Sequence, residues 1–173
     1  IESGLSIKGA SLATTCVFIG FAVGGVGFGY LADRLGRRKI LYLGCAIAST
    51  IIASLIMFAS IQPTWFTVIL LGMLGFTTGG QALSFVMTAD NAARHNRGMK
   101  LAFVNFIVML LPVVAQPSVG FLADIGVART GLPSAVQELR GYGLVVALMI
   151  VGTVITFFVR ETTPREDKAP IAH

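Results

Sequence analysis

The side chains able to do chemistry in this chain are few, and they gather at the ends of apolar runs. Residues Gly29-Tyr30-Leu31-Ala32-Asp33-Arg34-Leu35-Gly36-Arg37-Arg38-Lys39 set one carboxylate among four cations. Asp90 stands seven residues before Arg97, and Glu161 four before Arg165. Such groups can pair and part, but exposed ion pairs are worth only about 0–1 kcal/mol each. No Asp, Glu, His, Lys or Arg lies deep in an apolar run. A proton relay or a membrane-embedded enzyme needs such groups at depth, so an enzyme is not expected. Cys16 and Cys45 both sit in apolar segments, at no metal-binding or disulfide spacing. They read as small buried thiols. No metal site and no cofactor is expected.

The elements that must position these groups are membrane helices. The chain is 55% hydrophobic and 12% charged, with a mean hydropathy of +0.83. A soluble domain carries roughly twice that charged fraction, so a lipid bilayer must solvate most side chains. The spacing predicts five spans, near 9–32, 40–61, 65–89, 101–123 and 141–159, followed by a tail over 160–173. Each has the ~20 residues that a helix needs to cross the hydrocarbon. Gln62-Pro63-Thr64 divides the second from the third, and Trp65 fits an interfacial anchor. Segment 125–140 reads as an outer loop, in which Leu132-Pro133-Ser134 can start a short surface helix.

The net charge of +5 does not point to nucleic acid, because the cations cap apolar runs instead of lining one solvated face. They give orientation instead. Arg34, Arg37, Arg38, Lys39, Arg94, Arg97, Lys100, Arg160, Arg165 and Lys168 fall on one side, and only Lys8, Arg129 and Arg140 on the other. The positive-inside rule makes the first side and the C-terminus cytoplasmic, in a plasma or inner membrane.

Asp33, Asp90 and Glu161 each end a helix entering from outside, where the partial charge is negative and a carboxylate is unfavourable. Each therefore wants a cationic partner, with Arg34, Arg37, Arg38, Arg97 and Arg165 nearby. Asp33 has a second option at the positive start of the fourth span. Pairs that form when helix ends converge would act as a latch.

Inside the spans, Gly20, Gly24, Gly25 and Gly29 in the first and Gly75 and Gly79 in the third suit close helix approach. Thr77, Gln81, Ser84 and Thr88 follow offsets of four, three and four and so share one face. A polar stripe must face protein or a watery cavity. Asn105 and Gln116 add amides to the fourth span, which Pro112 and Pro117 would loosen. Thr77, Gln81, Ser84, Asn105 and Gln116 are the candidate substrate-cavity residues.

The first loop resembles the G-x-L-a-D-R-x-G-R-R/K signature of the major facilitator superfamily at nearly every position. Asp90 to Arg97-Gly98 is similar to that family's E-x6-R-G element, with Asp for Glu. Glu161-Thr162-Thr163-Pro164-Arg165 is similar to its P-E-S-P-R or P-E-T-K-G element, with Arg160 in place of the leading Pro. Ala115 to Gly120 only faintly resembles the G-P-x-x-G-G pattern of drug antiporters. The resemblance implies an all-α membrane protein whose five helices form most of one six-helix bundle. The intact protein would pair two such bundles around a mid-membrane site and rock to alternate access. The chain reads as cut from that longer protein, with the C-terminal half favoured by the short tail.

The expected function is therefore secondary transport of a small solute, a sugar or organic metabolite, with proton symport as one option. The gating network would comprise Asp33, Arg34, Gly36, Arg37, Arg38, Asp90, Arg97, Glu161 and Arg165. A drug-efflux antiporter portion, a channel and a non-transporting membrane remnant or scaffold are the alternatives. The expected partners are the bilayer, the solute and the remainder of the transporter.

Overall fold

The computed structural model of the chain describes residues 7–58, 64–130 and 134–161. Among these residues six α-helices follow one another: α1 (Ile7–Leu35), α2 (Arg38–Phe58), α3 (Thr64–Thr78), α4 (Ala82–Asp90), α5 (Arg97–Thr130) and α6 (Ser134–Phe158). A 3-10 turn, Gly79–Gln81, joins α3 to α4. Among the described residues five stretches are long and apolar enough to cross a bilayer: Gly9–Leu35, Arg38–Phe58, Trp65–Asp90, Arg97–Phe121 and Gly141–Phe158. Helices are the natural choice there, because each satisfies its own backbone groups where no water reaches.

The third apolar run differs from a single regular helix. Its 3-10 turn falls where two neighbours press on the backbone. A Cβ on Gly79 would lie 2.6 Å from both Gly25 N and Phe21 O of α1, and a Cβ on Gly80 2.5 Å from Cys45 Sγ of α2. Only glycine admits both approaches. Tightened turns of this kind often sit within long helices at points of strain or bending.

The segment 125–140 lies between the fourth and fifth apolar stretches, as expected, but holds more helix than the short one expected from Ser134. Helix α5 runs to Thr130 and α6 begins at Ser134, so the segment is helical on both sides of residues 131–133. Pro112 and Pro117 do not break α5, which continues through both.

Packing is uneven. Helix α1 lies mainly on α3, and α6 lies on α2 and α5. Among the described residues α5 touches only α4 and α6, and none of its residues from 97 to 121 is buried. Phe103, Phe106, Met109, Leu111 and Val113 are exposed along it, as suits side chains facing lipid or further helices. The buried core is small and rich in alanine, with Ala13, Ala32, Ala53 and Ala92 buried beside Leu83 and Met87. Where lipid tails are as apolar as leucine, close backbone approach takes over from hydrophobic burial as the means of association. Gly20, Gly24 and Gly75 provide it, since a Cβ on any of them would overlap the backbone of Gly72, Phe76 or Val17 respectively. Gly29 and Gly27 have nothing within 4 Å of such a Cβ, so the packing role expected of Gly29 is corrected.

Candidate functional site

The charged end of the bundle is built from the turn between α1 and α2. Gly36 takes a positive φ of 62°, and its N–H donates to Ala32 O at 3.0 Å. This left-handed cap ends α1 in a conformation that glycine adopts without penalty. Helix α2 starts two residues later, which brings Arg38 back over Asp33.

Arg38 is the hub. Its Nη2 donates to Asp33 Oδ1 at 2.7 Å, and its Nη1 pairs with Asp90 Oδ2 at the end of α4. The Arg38 and Asp90 side chains are 7% and 15% exposed, whereas that of Asp33 is 68% exposed. Arg38 Nε has no hydrogen-bond partner among the described residues. Alone, Arg38 would be a cation at the positive start of α2 and Asp90 an anion at the negative end of α4, both unfavourable. Together they cancel the two errors and tie three helices at one point.

A second tie closes the same end. The backbone N–H of Lys39, one of the unpaired donors in the first turn of α2, donates to Glu161 Oε1 at 2.8 Å. Lys39 Nζ donates to Phe157 O, in the last turn of α6, at 2.8 Å. Each helix end thus satisfies orphan groups of the other. The Glu161 carboxylate meets a backbone amide at a helix start and makes no ion pair with a described residue. The option of Asp33 at the start of α5 is not taken either. Arg34, Arg37 and Arg97 are exposed and make no ion pair with a described residue. Arg165 lies outside the described residues.

Between α2, α3 and α6 runs a cleft of about 340 Å³. It is lined by Thr77, Thr78 and Gln81 from α3 and its 3-10 turn, by Tyr42, Ser49 and Thr50 from α2, and by Thr153 and Thr156 from α6. Most hydroxyls point their protons at their own helix. Ser49 donates to Cys45 O at 2.6 Å, Thr77 to Leu74 O at 3.0 Å and Thr156 to Gly152 O at 2.9 Å. Thr50 and Thr153 also meet across the cleft at 3.1 Å. The lining therefore offers hydroxyl lone pairs and the amide of Gln81, with no formal charge. Such a surface can hold a hydroxylated or polar neutral group.

Of the candidate cavity residues, Thr77 and Gln81 line this cleft and Ser84 lines a second pocket nearer the charged end. Asn105 and Gln116 are exposed on α5 and line neither. The contributions of α2 and α6 were not anticipated. Their signal was present: Tyr42, Cys45, Ser49 and Thr153, Thr156 recur at offsets of three and four, which places each set on one face.

The sequence profile of the Major Facilitator Superfamily matches residues 2–173. The chain belongs to that superfamily. This facilitator is 44% identical over 57 residues to solute carrier family 22 member 7 of Rattus norvegicus, a match covering 33% of this chain and 10% of the relative. The corresponding protein of Sus scrofa is 44% identical over 62 residues, covering 35% and 11%. The putative transporter svop-1 of Caenorhabditis elegans is 35% identical over 91 residues, covering 51% and 16%. The matched stretch thus spans a minor part of the length of each relative. No solved structure gives a significant match. Family and helices together make this an integral, multi-pass membrane protein of a transport family.

Proposed function

We propose that this facilitator is one part of a secondary carrier that moves a small solute by alternating access, and that the Asp33–Arg38–Asp90 junction is its cytoplasmic latch. The latch carries the reading. One buried guanidinium holds the ends of α1, α2 and α4 through a pair that strengthens as water leaves and weakens as it enters. A differential of about 1–3 kcal/mol between two conformations is enough to couple one site to another. The names of the relatives, a solute carrier and a putative transporter, support solute transport.

The cleft residues Thr77 and Gln81, with Ser84 beyond them, are the proposed polar lining for the solute. A neutral, hydroxyl-bearing lining suits a sugar or organic metabolite better than a bare ion. The cations of the latch end face the cytoplasm, and the C-terminus lies there too.

The test uses the full-length carrier in liposomes, with radiolabelled counterflow against a solute panel. Saturable counterflow supports a carrier; currents that do not saturate would replace it with a channel. Asp33→Asn should cut uptake while membrane insertion stays intact. The exchange Arg38→Asp with Asp90→Arg should recover part of the uptake that either change alone removes. Normal uptake by the single variants would remove the latch.

A further inference from the structure

A second pocket, of about 310 Å³, lies between α2, α4, α5 and α6 at the end that carries Arg38 and Lys39. Its walls include Met87, Val104 and Val159, and its polar lining includes Tyr42, Thr88 and Lys100. Neither the latch nor the hydroxyl cleft uses Lys100.

Few donors here are free. Ser84 donates to Gln81 O at 2.7 Å, Thr88 to Ser84 O at 2.8 Å, and Asn91 Nδ2 to Met87 O at 3.1 Å. Two donors remain. The Tyr42 hydroxyl has no hydrogen bond to a described residue. Lys100 directs one N–H to Asn91 O at a long 3.3 Å, which leaves two of its three donors. Lys100 makes no ion pair among the described residues. The neighbouring acids are engaged, Asp33 and Asp90 by Arg38 and Glu161 by the Lys39 amide. Lys100 is the one charged side chain that lines the pocket, which thus presents a positive group and free donors between apolar sides. Its complement is a singly charged, acceptor-only group with an apolar neighbour.

We propose that this pocket binds a phosphate group, supplied either by the phosphodiester of an anionic lipid headgroup or by free phosphate. Lys100 supplies the charge and two donors, and Tyr42 supplies a third from α2. An occupant would therefore bridge α2 and α5, which make no direct contact among the described residues. Binding would stiffen the loosest helix of the bundle. The proposal does not depend on transport.

The test is thermal unfolding of the purified full chain in neutral detergent. The probes are inorganic phosphate, against chloride at equal ionic strength, and dioctanoyl phosphatidylglycerol, against uncharged dioctanoylglycerol. At least one probe should raise the midpoint by several degrees. A shift with phosphate alone identifies a soluble source, and one with the lipid alone a headgroup. Lys100→Gln should abolish the shift, Lys100→Arg should keep it, and Tyr42→Phe should weaken the apparent affinity about tenfold. Arg94→Gln, which removes an exposed cation outside the pocket, should leave the shift intact. No shift with either probe overturns the proposal, as does an equal loss in Arg94→Gln. Should Lys100→Gln fail to fold, unchanged affinity in Tyr42→Phe overturns it independently.

Discussion

Arg38 and Asp90 form a buried ion pair between the first residue of α2 and the last residue of α4. Asp33 reaches the same guanidinium from the water-facing side. The two carboxylates hold one cation in unequal surroundings, and that inequality governs what each contributes.

Removing the buried partner should therefore cost more than removing the exposed one. Asp90→Asn leaves Arg38 buried with only an exposed acid, and should destabilise by about 3 kcal/mol, the lower end for breaking a buried pair. Asp33→Asn should cost about 0–1 kcal/mol. Reversible unfolding of the two variants in mixed micelles measures the difference. Equal losses would mean that burial does not set the weights.

The glycines divide in the same manner. A Cβ at Gly24 would overlap the backbone of Phe76, whereas one at Gly27 meets nothing within 4 Å. Gly24→Ala should destabilise by about 1–3 kcal/mol through overpacking. Gly27→Ala should be neutral or slightly stabilising, since alanine is the better helix former by about 0.8–1 kcal/mol. Steric-trap or denaturant unfolding of both variants checks this.

Thr50 and Thr153 meet at 3.1 Å across the cleft, and Thr153 also reaches Ala46 O at 3.4 Å. Interhelical hydrogen bonds of this sort in membranes average about 0.6 kcal/mol. A double-mutant cycle with Thr50→Val and Thr153→Val should give a coupling of that order. A coupling indistinguishable from zero would mean that α2 and α6 associate by packing alone.

Much of this molecule could be read before any coordinates. Lipid imposes long uncharged runs, so the spans announce themselves between Lys8, Asp33, Asp90 and Arg160. The first loop and the Asp90–Arg97 spacing gave the family, and the Thr77–Gln81–Ser84 stripe marked a polar face. What stayed hidden depended on register and backbone. Four consecutive-looking cations gave no sign that Arg38 is the buried one; the left-handed turn at Gly36 decides that. Glu161 looked in need of a cation because composition shows side chains, and the Lys39 amide from which it accepts is backbone. The 3-10 turn at Gly79–Gln81 arises from what α1 and α2 press against it, which no local pattern carries.

The most direct measurement is sidedness. In a variant with Cys16→Ala and Cys45→Ala, a single cysteine is placed at Arg37, in the turn between α1 and α2, or at Trp65, near the start of α3. An impermeant maleimide is then applied to intact cells. Labelling of Trp65→Cys from outside, with Arg37→Cys labelled only after permeabilisation, is the predicted result. Labelling of Arg37→Cys in intact cells would contradict it, and with it the placement of the Asp33–Arg38–Asp90 latch.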